Sequence, residues 1–113
     1  MPAVTVPDDL RLTVVVEPVG ASSFVVRVSG DLDPHTAPQL DDELRALIGR
    51  ESPAELVLDL GGVGFIDSAG LRVLLGVLKL QGQGGSTLVL EHLSAAAQRL
   101  LELTGLTDEF DVR

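Results

Sequence analysis

Apolar residues recur along this 113-residue chain with two alternating periods, and the alternation predicts the elements. Arg11–Glu17 (RLTVVVE) and Phe24–Ser29 (FVVRVS) are rich in β-branched residues and read as strands. Pro18–Ser23 (PVGASS) reads as the turn between them, so the pair predicts an antiparallel hairpin. In Thr36–Arg50, Leu40, Leu44, Leu47 and Ile48 fall at helical spacing, with acids early and arginines late as the helix dipole prefers. Asp33 or Thr36 is placed to cap that helix, and Pro38 is tolerated in its first turn. Glu55–Leu60 (ELVLDL) predicts a strand buried on both faces.

Gly61–Gly64 (GGVG) reads as a loop, with Phe65 and Ile66 apolar again after it. From Ala69 the leucines at 71, 74, 75 and 78 mark a second helix ending near Gly82. Gln81–Gly85 is a helix stop and loop, and Ser86–Leu90 (STLVL) is a further strand. Ser94 starts a third helix with Ala97, Leu100, Leu101 and Leu103 on its apolar side, ending at Thr104-Gly105-Leu106. Glu109–Val112 predicts a last short strand. Strands separated by helices imply parallel neighbours joined by right-handed crossovers, with the opening hairpin as an antiparallel edge. Residues 1–10 read as a flexible leader and residues 11–113 as one α/β domain.

Composition narrows the function classes. With 17 acidic and 8 basic residues the net charge is −9, which disfavours nucleic acid and anionic membrane and favours a basic protein partner. Aromatics are 3% of the chain, too few for a base-stacking platform. The absence of cysteine excludes thiol nucleophiles and Cys-zinc sites. No apolar stretch approaches the ~20 residues of a membrane span, and the first residues lack a signal-peptide pattern. Together these predict a soluble cytoplasmic protein.

Candidate chemistry is sparse. GGVG precedes no helix, QGQGG precedes a strand, and no phosphate-loop lysine follows either. His35 and His92 lack metal-ligand spacing, so neither a metal nor a cofactor is expected. Ser68 stands in D-S-A-G rather than G-x-S-x-G, against a serine hydrolase. It lies at a strand-to-helix junction, where α/β sheets place their sites. Either Ser68 or Asp67 is placed to cap the helix from Ala69. A phosphate on Ser68 would also meet free N–H groups and the positive end of the dipole. The residues alone leave both readings open.

Three segments resemble the STAS domain family, in its anti-sigma factor antagonist branch. They are Gly30–Ala37 (GDLDPHTA), the strand Leu56–Leu60 followed by Val63–Leu71 (VGFIDSAGL), and Leu100–Leu106 (LLELTGL). The resemblance implies a single STAS domain with a mixed four- to five-stranded sheet flanked by three or four helices. It implies no enzyme but a partner switch. The unphosphorylated antagonist binds an anti-sigma factor that is a serine kinase, frees the sigma factor, and is inactivated by phosphorylation. A serine phosphatase resets it. The implied phosphoacceptor is Ser68, and the implied partner surface comprises Asp33, Thr36, Asp67, Ser68, Ala69, Gly70 and Leu71. Two rival readings are a STAS scaffold that binds without being phosphorylated and a small enzyme using Ser68 as nucleophile. Ala69 leaves Ser68 without an adjacent hydroxyl competitor, and Pro34 would stiffen its loop.

Overall fold

The computed structural model describes residues 12–113; the expected leader and Arg11 lie outside the described residues. One five-stranded sheet carries the domain, in the order β1-β2-β3-β4-β5. Its strands are β1 (Leu12–Gly20), β2 (Ser23–Leu32), β3 (Glu55–Ile66), β4 (Thr87–Glu91) and β5 (Asp111–Val112). The helices are α1 (Ala37–Glu51), α2 (Ser68–Gln83) and α3 (Ala95–Thr104), and a 3-10 turn, Thr107–Glu109, leads into β5. The hairpin β1–β2 is antiparallel, and every other pairing is parallel.

Alternation along the strands sets the core. Val26 and Val28 of β2, Leu56, Leu58 and Leu60 of β3, and Leu88 and Leu90 of β4 are buried in one cluster. Leu40, Leu44 and Leu47 of α1 join it, as do Leu71, Leu74 and Val77 of α2 and Ala97 and Leu101 of α3. The other parity carries Arg27, Asp59 and Glu91 side by side in register. Val57 and Val89, paired in register on that same parity, are also buried, but Glu55 and Asp59 beside them are only half-buried, so Glu55–Leu60 is buried fully on one face and only in part on the other, not on both as its sequence predicts.

Three further expectations are corrected. Gly61–Gly64 is not a loop: β3 runs through it for 12 residues, pairing with Ser29, Gly30 and Asp31 across register irregularities. Glycine permits this because any Cβ on Gly62 would overlap the Ser29 side chain. The hairpin turn is shorter than predicted, since β1 continues through Pro18 to Gly20 past a bulge. Leu103 is 74% exposed, away from the core. At about 100° per residue, its position lies roughly opposite the inward-facing Leu101.

Candidate functional site

Parallel pairing assembles the site from two distant segments. Leu32 and Ile66 are register partners at the carboxyl ends of β2 and β3. The Asp67 N–H donates to the Leu32 carbonyl at 3.3 Å, tying the two ends together. The D-P-H-T loop before α1 and the D-S-A-G start of α2 therefore emerge side by side, about one strand spacing (~4.8 Å) apart.

The first segment is a self-bonded loop. Asp33 Oδ1 accepts from the backbone N–H of His35 at 2.9 Å and of Thr36 at 3.0 Å. Thr36 Oγ1 donates to the Asp31 carbonyl at 2.7 Å and accepts from the Asp33 N–H at 3.0 Å. Thr36 is the N-cap residue of α1, yet no side-chain capping bond is made to that helix. Instead the Asp33 carbonyl accepts from the Ala37 N–H at 2.8 Å. Pro38 sits in the first turn, where its missing N–H costs nothing.

The second segment assigns the helix cap. Asp67 has extended backbone (φ −125°, ψ −166°), and its Oδ1 accepts from the Ala69 N–H at 2.9 Å. Asp67, not Ser68, caps α2. Ser68 is the first helical residue and is exposed, and its hydroxyl makes no hydrogen bond among the described residues. Gly70 is buried against the sheet: a Cβ there would lie 2.6 Å from Leu32 Cγ and 2.9 Å from Ile66 Cγ1. Its bare backbone lets α2 start directly on the strand ends, which sets Ser68 at the surface.

Of the seven residues implied for the partner surface, Ser68 is exposed and Asp33, Asp67 and Ala69 are half-buried. Thr36, Gly70 and Leu71 are buried and shape the surface from beneath rather than presenting side chains on it. Phe65, 48% exposed, adds an aromatic side chain three residues before Ser68. Sequence reasoning gave it no role, because its exposure follows from the strand register that turns its neighbour Ile66 inward. A groove of about 450 Å³ opens between α1 and α2, lined by Ala69, the residue after Ser68, by Pro34, Ala37, Pro38 and Val73, and by Asp41, Arg45 and Arg72.

A second polar cluster lies across β2, β3 and β4. Arg27 Nη1 meets Glu17 at 2.6 Å, and Arg27 Nε stands 3.8 Å from Asp59 Oδ2. His92 Nδ1 lies 3.1 Å from the same Asp59 oxygen and 3.7 Å from Glu91. The Asp59 hydrogen bond and charge raise the His92 pKa above its usual 6.5. Burial pushes the Asp59 carboxyl up. The Gly61 N–H, His92 and Arg27 outweigh burial and leave the carboxyl below its usual value. Asp59, Glu91 and His92 each offer one ligand atom, all within 4.8 Å of one another, an arrangement that sequence spacing does not reveal because strand register creates it. The Arg27 guanidinium supplies positive charge at that same carboxylate, so ion pairs account for the cluster.

The comparisons agree with this architecture. A family model described as "Mlab, STAS domain" matches residues 19–112. The anti-sigma-B factor antagonist of Bacillus subtilis is 38% identical over 87 residues, covering 77% of this chain and 78% of that protein. The anti-sigma F factor antagonist of Paenibacillus polymyxa is 37% identical over 83 residues, covering 74% and 71%. The crystal structure of an anti-sigma factor antagonist from Mycobacterium paratuberculosis superposes with a TM-score of 0.81 at 33% identity, covering 94% of this chain and 87% of that one. Among the described residues no helix is long and apolar enough to cross a membrane. The chain belongs to the STAS domain family, as a regulatory binding domain and not an enzyme.

Proposed function

We propose that this protein is a cytoplasmic anti-sigma factor antagonist whose binding is switched at Ser68. In its unphosphorylated form it binds an anti-sigma factor that is a serine kinase, and the sigma factor is released. The kinase then phosphorylates Ser68 and the complex parts. A serine phosphatase restores the binding form. The names of the relatives support the first step. The observation that carries the switch is an exposed Ser68 hydroxyl with no hydrogen bond among the described residues, Asp67 doing the capping.

In the transfer, Ser68 Oγ forms the new P–O bond to the γ-phosphorus of the kinase's ATP. The bond from that phosphorus to ADP breaks, and the hydroxyl proton passes to a base on the kinase. Helix α2 keeps its cap throughout, so the modification requires no refolding. The phosphate adds about −1.5 to −2 charges beside Asp67, on a chain already at −9. Where that charge meets a carboxylate of the partner ~6 Å away, the repulsion costs roughly 2–3 kcal/mol at an effective dielectric near 20, about a 30- to 150-fold loss of affinity for that one contact.

The partner surface centres on Ser68, Asp67, Ala69 and Asp33, with Phe65 beside them. Thr36, Gly70 and Leu71 hold those residues in place. A pull-down with the parent chain and with Ser68→Asp tests this reading. The parent should retain an anti-sigma factor that the variant loses, and equal retention by both would overturn it. Phosphopeptide mass spectrometry separates a phosphorylated switch from a STAS scaffold that binds without modification.

A further inference from the structure

The two arginines of the α1–α2 groove differ. Arg45 on α1 is engaged: its Nε donates to both Asp41 carboxylate oxygens at 3.0 Å. Arg72 on α2 is exposed and forms no hydrogen bond or ion pair among the described residues. An unpaired arginine in so acidic a chain is notable for where it stands. It lies four residues after Ser68 on the same helix, and it lines the groove together with Pro34, Ala37 and Val73.

Residues four apart on a helix are neighbours, with Cβ atoms about 5–6 Å apart. The favourable order places the negative group on the N-terminal side, as here, because it also agrees with the helix dipole. A phosphate on Ser68 would present three acceptor oxygens to the five-donor fork of a guanidinium. Asp41, the acid that lines the same groove, is held by Arg45.

We propose that Arg72 captures the phosphate placed on Ser68, forming an ion pair along one turn of α2 that draws the guanidinium out of the α1–α2 groove. Phosphorylation then changes the partner surface twice. It adds negative charge at Ser68, and it removes a positive group from the neighbouring groove. This inference rests on the reading of Ser68 as phosphoacceptor and assigns Arg72 as the residue that senses it.

The test uses the full chain with phosphoserine encoded at position 68 during translation, so that no kinase is needed. The phosphorus-31 chemical shift is followed against pH in three proteins: the parent, Arg72→Ala, and Arg99→Ala, which removes another exposed arginine without an ion pair among the described residues. Alanine at an exposed helical position keeps α2 intact. With Arg72 present, the phosphate's second pKa should be roughly 0.3–1 unit lower than in Arg72→Ala, and Arg99→Ala should match the parent. Coincident titrations for the parent and Arg72→Ala would overturn the proposal. Mass spectrometry of the chain from its own cells answers the separate question: an unmodified Ser68 there would overturn the phosphoacceptor reading, whatever the titration shows.

Discussion

Asp67 Oδ1 accepts the Ala69 N–H at 2.9 Å, so the helix that begins at Ser68 is capped by the residue before it. The serine hydroxyl is thereby left to solvent. Stability thus rests on Asp67, and the proposed switching on the adjacent Ser68.

That division predicts unequal costs. Asp67→Ala should destabilise the fold by about 0.5–2 kcal/mol through loss of the cap. Ser68→Ala should stay within about 0.5 kcal/mol of the parent. Urea denaturation of the three proteins measures both. A Ser68→Ala cost equal to that of Asp67→Ala would show that the hydroxyl is structural.

Gly70→Ala should destabilise by about 1–3 kcal/mol through overpacking. The added methyl would meet Leu32 and Ile66, both buried and tied into the sheet. A thermal midpoint several degrees below the parent's is the expected reading. An unchanged midpoint would mean that the helix start can slide away from the strand ends.

Phe65→Ala should weaken partner binding at least tenfold while leaving stability within about 1 kcal/mol. The ring is 48% exposed, so little core packing is lost, whereas exposed aromatics beside a binding site commonly anchor interfaces. Calorimetric titration against the identified anti-sigma factor, alongside urea denaturation, checks the two halves separately.

The His92–Asp59 pair predicts a pH dependence. The folded pKa of His92 lies above 6.5, so its stabilising contribution is fully present below the unfolded pKa and fades as pH rises through the folded one. Asp59, Glu91 and Arg27 are the charged groups that act on it. A proton NMR titration should place His92 above 6.5 in the parent and lower in Asp59→Asn. An identical midpoint in both proteins would remove Asp59 as the cause.

Much of this was legible in the sequence because its signals are local. The leucines at 40, 44 and 47 announce α1, and the apolar stretch Glu55–Leu60 announces β3. D-S-A-G at a strand-to-helix junction points to Ser68. The rest depends on partners distant in sequence. GGVG reads as a loop until β2 is beside it, since only Ser29 explains why Gly62 must lack a side chain. Thr36 reads as surface until the Asp31 carbonyl claims its hydroxyl. The Asp59–Glu91–His92 cluster exists only through strand register.

The central claim is that a phosphate on Ser68 ends partner binding without unfolding the domain. Calorimetry with the anti-sigma factor recovered by the parent chain, comparing Ser68 with encoded phosphoserine at 68, tests it most directly. The account predicts an affinity loss of about 30-fold or more with the far-ultraviolet circular dichroism unchanged. Equal affinity of the two forms would contradict it.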